Sequence, residues 1–215
     1  MNILAWLHKR STKKRDRKYK QLDSAFDDCV AGLKPGDVAI DCGANLGLYT
    51  VRLASSGATV HAFEPNPYAF AELTRATAQF DNVELHQAAV TTEPGQVELY
   101  LHKWTNDDPV YWSSSSSLLV EKSNVRAEHS VSVEGIHLTQ FIKDLGQPVK
   151  LFKMDVEGAE IDLLNQLLDE GLHNTIEQAF VEVHDRRVPS LVKPTQQLRD
   201  RLRQMGATHF RLDWR

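Results

Sequence analysis

The chain is 215 residues long, 41% hydrophobic and 25% charged, the balance of an ordinary folded protein, which excludes a disordered or fibrous chain. No apolar run approaches the roughly 20 residues that a membrane-spanning helix needs, and Cys29 and Cys42 are too few for a disulfide framework. The net charge of −4 is unevenly spread: residues 1–20 carry eight Lys or Arg against Asp16 alone, +7 locally, which leaves −11 on the other 195. A basic run such as Lys9 to Lys20 can attach to an anionic surface, phospholipid or nucleic acid, through interactions that salt screens. The apolar stretch from Met1 to Leu7 is too short for a secretory core and precedes its positive charges, the wrong order for a signal peptide. The expected layout is therefore a cytoplasmic protein, membrane-peripheral at most, with a leader at 1–20 and one domain over 21–215 that carries an insertion at about 96–133.

Leu22, Phe26, Val30 and Leu33 recur at helical spacing, and Lys34, Pro35, Gly36 and Asp37 end that helix in a turn. Val38 to Ile40 reads as a strand that runs into Asp41 and a glycine loop, Cys42 to Gly47, followed by a helix as far as Ser55. Thr59 to Phe63 is the second strand, Pro65 and Pro67 open a helix to about Gln79, and Val83 to Val90 is the third strand. This alternation predicts an α/β fold with a mostly parallel central sheet and helices on both faces. Gln96 to His102 and His129 to Val133 look like an inserted antiparallel hairpin flanking a polar stretch that contains Ser113 to Ser117. Five serines alone suit a flexible linker, but inside a compact domain such a segment is more often a lid or binding loop. Val149 to Met154, Ala179 to Val183 and Thr208 to Leu212 supply three further strands, with helices over Gly158 to Leu168 and Thr195 to Met205 between them.

Four stretches carry candidate chemistry. In the first, Gly43 allows close backbone approach and Gly47 close packing. The spacing of these glycines, with Ala44 and Asn45 between, is not that of a dinucleotide fingerprint. Asp41 directly before the loop suits a ligand with a positive amino or sulfonium group. In the second, Glu64 ends the next strand 23 residues after Asp41, where a carboxylate can accept both hydroxyls of a ribose. In the third, Lys153, Asp155 and Glu157 fall on one side if the chain stays extended, and clustered charges at a buried strand end are costly unless they pair. In the fourth, Glu182 and His184 stand two residues apart, and His184 is a candidate general base.

The blocks Asp41 to Gly47, Phe63 to Pro67, Lys153 to Glu160 and Val181 to His184 resemble, in this order, the hallmark blocks of the FkbM-family methyltransferases, over roughly residues 35–185. The resemblance implies a class I, Rossmann-like methyltransferase that uses S-adenosylmethionine and methylates a hydroxyl oxygen of a sugar, glycan or secondary metabolite. It further implies that Asp41, Gly43, Ala44 and Asn45 line the methionine part of the cofactor, that Glu64 holds its ribose, and that Asp155 lies near the sulfonium and the acceptor. The family's last two sheet strands form an antiparallel hairpin, of which only Thr208 to Leu212 is visible. On this reading Asp155 or His184 removes the acceptor's proton, with Lys153 or Glu157 organising the site and no metal required. A divalent ion on Asp155, Glu157, Glu182 or His184 is the alternative. Two rival functions are a non-catalytic binding protein on the same scaffold and a nucleic-acid methyltransferase, either using the basic leader for an anionic partner.

Overall fold

The computed structural model describes residues 24–113, 116–122, 124–186 and 188–214. The basic leader and Leu22 lie outside the described residues. After a helix α1 at 24–31, β1 (Val38–Cys42), α2 (Leu48–Ala54), β2 (Thr59–Phe63), α3 (Pro67–Thr77) and β3 (Val83–His86) alternate as expected. Then come β4 (Ala88–Thr91), β5 (Gly95–His102), β6 (Val125–His137), α4 (Leu138–Asp144), β7 (Val149–Met154), α5 (Glu160–Asp169), β8 (Ala179–Val181), α6 (Val192–Gln204) and β9 (Phe210–Arg211).

Six strands form one sheet in the order β3-β2-β1-β7-β8-β9, and every pair in it is parallel. The fold is thus α/β and Rossmann-like. The chain moves outward from β1 to β3, then crosses back to β7 and moves outward the other way. The carboxyl ends of β1 and β7 therefore flank the point where the winding reverses, the place where open parallel sheets leave a crevice for ligands. All five residues of β1 are buried, because the strand is covered on both faces. On one face Ile40, Phe152 and Met154 pack with Leu138 and Ile142 of α4, Leu163, Leu164 and Leu167 of α5, and Leu198 and Leu202 of α6. On the other, Ala39, Leu151 and Phe180 meet Phe26 of α1, Tyr49 and Leu53 of α2, and Trp214. Phe26 stacks on Trp214 at 5.8 Å and meets Tyr49 and Phe180 edge-on at 5.1 and 5.3 Å, contacts worth about 0.5–1.5 kcal/mol each beyond burial.

The structure departs from the sequence reading at three strands and adds one helix. The third strand is not continuous from Val83 to Val90: it breaks at Gln87, and β4 leaves the central sheet to join a second one, ordered β4-β6-β5. The expected hairpin is part of this second sheet, with β5 antiparallel to β6 from Gly95 opposite Gly135 onward, and β4 parallel to β6 on its other side. Helix α4 has only two turns, too few for a periodic signal. The last strand pairs parallel to β8 and is two residues long. Among the described residues, no helix is long and apolar enough to cross a membrane.

Candidate functional site

The register of β1 against β7 sets Asp41 beside Lys153. The pleat turns both toward α2, with Ala39 and Leu151. Lys153 Nζ lies 3.0 Å from Asp41 Oδ1, and Thr50 Oγ1 donates to Asp41 Oδ2 at 2.7 Å. Lys153 also donates to the carbonyls of Gly43 at 2.5 Å and Cys42 at 3.4 Å. Asp41 is fully buried and Lys153 2% exposed. Burial opposes the ammonium form of Lys153, yet Asp41 and Asp155 raise its pKa above the usual range. Asp41 is therefore buried beneath the loop, where Lys153 and Thr50 take up its carboxylate. Lys153 makes its direct ion pair with Asp41, while Asp155, beyond the end of β7 at Met154, acts on it through its charge.

The loop itself is shaped by close approach. Gly43 has φ 77°, and a Cβ on it would sit 1.9 Å from the carbonyl oxygen of Asp155, so only glycine lets the ends of β1 and β7 meet here. Gly47, at φ 89°, makes room for Leu73 and Ala76 of α3. The amides of Gly43 and Ala44 both donate to the Phe63 carbonyl at 2.9 Å, so the loop is fastened to β2. We expect Gly43→Ala to lose about 1–2 kcal/mol from its backbone conformation alone and more from displacing Asp155. Thermal melting should show a lowered Tm together with lost turnover, and an unchanged Tm would contradict this reading of the junction.

Glu64 closes the β2 end. Its Oε2 accepts from the Asn45 amide and its Oε1 from the Asn66 amide, each at 2.8 Å. Burial pushes its pKa up to about 7 although these amides and Lys153 pull it down. Asn66 caps α3 through its side-chain oxygen, with Pro67 at the first helical position. The serine-rich segment lies across these groups: Ser113 donates to Asn45 Oδ1 at 3.2 Å, Asn66 donates to Ser116 at 3.0 Å, and Ser117 donates to the Glu157 carbonyl at 2.7 Å. One segment thus bonds to the blocks following β1, β2 and β7, the position of a lid.

The fourth part of the site is a charged cluster around His184. Its Nδ1 lies 2.9 Å from Glu160 Oε1, and its Nε2 lies 3.1 Å from Glu157, 3.6 Å from Asp155 and 3.9 Å from Glu182. Glu160, the first residue of α5, also accepts from the amides of Val156 and Gly158, fixing the turn in which Glu157 adopts φ 61°. Lys122 Nζ pairs with Glu157 at 2.5 Å. Desolvation disfavours charge on His184, but Glu157 and Glu160 outweigh it and push its pKa up to about 11. Desolvation likewise opposes ionisation of Glu157, and His184 and Lys122 overcome it to hold the group at about 2. Asp155 moves the other way: burial raises its pKa, with Glu157 adding to the effect and Lys153 opposing it. Its Oδ1 is buried and accepts no hydrogen bond among the described residues.

These shifts set a pH window. A histidine whose pKa rises on folding stabilises fully below its unfolded value of 6.5, and that stabilisation is lost as pH climbs through about 11. Glu157, depressed from 4.5, contributes above that value and loses the contribution as pH falls through about 2. Urea midpoints should therefore decline from pH 6.5 upward in the wild type and less steeply in His184→Gln. Parallel declines would show that His184 is not held charged.

The structure thus brings Asp155, Glu157, Glu182 and His184 together, and sets Gly43, Ala44, Asn45 and Glu64 around the adjoining loop. By spacing alone Asp155, Glu157 and His184 could hold a metal ion, their ligand atoms lying within 4.8 Å, and Lys122 pairs with Glu157 at the same place. Sequence reasoning missed Lys122 and Glu160. Glu160 has a signal, an acid in the first turn of a helix, whereas Lys122 has none, since its partner is 35 residues away.

Comparison with known proteins agrees with this arrangement. The protein is 28% identical over 183 residues to "Methyltransferase 1" of Beauveria bassiana, covering 76% of this chain and 70% of that protein. It is 26% identical over 203 residues to methyltransferase sdnD of Sordaria araneosa, covering 82% and 76%. A shorter match of 67 residues, 29% of this chain and 25% of the other, is 48% identical to the 31-O-demethyl-FK506 methyltransferase FkbM of Streptomyces tacrolimicus. The family model of the methyltransferase FkbM domain matches residues 41–208, from the acid next to the last residue of β1 almost to β9, and the chain belongs to that family of methyltransferases.

Proposed function

We propose that the protein transfers a methyl group from S-adenosylmethionine to a hydroxyl oxygen of a sugar, glycan or secondary metabolite, without a metal. The observation that carries this reading is Asp155: a buried carboxylate oxygen without a hydrogen bond, at the crevice edge, suited to a ligand with positive charge. Glu64 fits the same ligand, because a carboxylate has about four acceptor positions and its two backbone bonds leave capacity for a ribose diol. With Asp41 buried beneath the loop, contact with the methionine end falls to the loop Gly43, Ala44 and Asn45 and to Asp155.

When bound, S-adenosylmethionine supplies a methyl group on a positively charged sulfur, so the donor arrives activated. The remaining tasks, alignment and removal of the acceptor's proton, belong to the chain. Asp155 takes the hydroxyl proton as the oxygen bonds to the methyl carbon and the carbon–sulfur electron pair returns to sulfur. Its raised pKa makes it a better base than an ordinary carboxylate. His184 does not serve as the base in this scheme, since its carboxylate neighbours keep it protonated; it orients Asp155 and Glu157 instead. Lys153 acts as a positioning residue through the Gly43 carbonyl. Ser113, Ser116, Ser117 and Lys122 hold the lid closed, which excludes water.

Next to Ser113 the insertion displays rings. Trp104 and Tyr111 are 46% and 67% exposed, and each meets Trp112 edge-on at 4.8 Å, while Trp112 stacks on His102 at 4.2 Å. Such rings suit an acceptor with a flat or cyclic face. The Streptomyces tacrolimicus relative, by name a 31-O-demethyl-FK506 methyltransferase, supports an oxygen acceptor. Incubation with methyl-labelled S-adenosylmethionine and a panel of glycans, hydroxylated secondary metabolites and RNA tests the proposal. Label should enter a hydroxylated small molecule or glycan and persist after exhaustive chelation; label confined to RNA, or to none of the panel, contradicts it.

A further inference from the structure

Away from the crevice, β2 and the edge strand β3 present three metal-ligating groups on one face. Their parallel register sets His61 beside Glu84 and Phe63 beside His86, and alternate residues of a strand share a face. His61 Nδ1 lies 3.4 Å from His86 Nε2 and 3.4 Å from Glu84 Oε2, and the three ligand atoms lie within 4.8 Å of one another. The gap between the two ring nitrogens exceeds the span of about 2.7–3.2 Å that hydrogen bonds prefer. It matches the edge of a tetrahedron whose ligands stand about 2.0–2.1 Å from a central ion, about 3.3–3.4 Å.

The rings are held in this arrangement by their surroundings. Phe63 stacks on His86 at 4.4 Å, and Phe141 of α4 meets His61 and His86 edge-on at 5.2 and 5.4 Å. His61 is 6% exposed, so its nitrogen cannot turn to water, whereas the Glu84 side chain is 62% exposed and gives an ion a path from solvent.

We propose that His61, Glu84 and His86 form a binding site for one divalent transition-metal ion, with zinc favoured by the tetrahedral spacing and the fourth position left to water. Two imidazoles and a carboxylate suit zinc and its borderline neighbours over magnesium or calcium. The site is separate from the His184 cluster, where Lys122 is the counter-cation. It braces the edge of the sheet at a telling place, since the Glu64 amide donates to the His86 carbonyl at 3.1 Å. The ion's role is to fasten β3 to β2, outside the methyl-transfer chemistry.

The full chain, freed of metals by chelation, is titrated with Zn²⁺ by calorimetry and with Co²⁺ by visible spectroscopy. One ion per chain should bind, the cobalt form should show the intense visible bands of tetrahedral coordination, and Tm should rise with zinc. Glu84→Gln, a change at an exposed side chain, should weaken zinc at least about tenfold, and His86→Ala by at least as much. If His86→Ala fails to fold, Glu84→Gln decides. Absence of zinc binding, or undiminished affinity in Glu84→Gln, overturns the assignment; the second result would place the ion elsewhere.

Discussion

Asp155→Asn should lower kcat at saturating cofactor by a factor of about 10²–10⁴, the usual contribution of a positioned general base, and should also weaken S-adenosylmethionine, whose positive charge then loses its carboxylate neighbour. The amide keeps the shape of the carboxyl and its place beside His184, so the fold is retained, but it cannot accept a proton. A fall in kcat that persists at saturating cofactor separates this role from cofactor binding alone, in which saturation would restore the rate. His184→Gln provides the contrast. If His184 merely orients the carboxylates, its loss should reduce kcat without removing the pH dependence that belongs to Asp155. Full activity in Asp155→Asn, with cofactor still bound, would show that the base has been assigned to the wrong residue.

Lys153→Met should destabilise the protein by about 3–5 kcal/mol, because it strands the fully buried Asp41 without its counter-charge. For a chain of this size that corresponds to a fall in Tm on the order of 10 °C. The double variant Asp41→Asn with Lys153→Met should recover much of the loss, since no unpaired charge then remains in the interior. Equal destabilisation of single and double variants would mean that Lys153 acts through its bonds to the Gly43 and Cys42 carbonyls and not through Asp41. Either way, cofactor affinity should drop with Lys153, since the loop that it tethers carries Asn45 and, through Asn45, Glu64.

The contrast between Asp155 and Lys153 also shows how far a sequence can be read. Strand, glycine loop and helix were legible at Val38 to Gly47 because hydrophobic runs and glycines act locally, and the order of the four blocks placed their acids at strand ends. What was hidden depends on register or on distant segments. Lys153 looked like a neighbour of Asp155 and Glu157 along the chain, yet the pleat of β7 and its pairing with β1 turn it toward Asp41. His184 reads locally as a base; what its own segment does not show is that three carboxylates following β7, Asp155, Glu157 and Glu160, lie against its ring. The strand-like residues on both sides of it, from Val83 to Val90, concealed the step at Gln87, where the chain changes sheets. Lys122 could not be found at all, since nothing local to it signals a buried ion pair with Glu157.

The central claim is that the crevice where the winding reverses, at the ends of β1 and β7, receives S-adenosylmethionine. Calorimetry of the full chain with S-adenosylmethionine and with its demethylated product tests this most directly. The account predicts one site per chain for both, weakened strongly by Glu64→Ala, with Asp155→Asn weakening the charged donor more than its demethylated product. Absence of binding by either compound would contradict it.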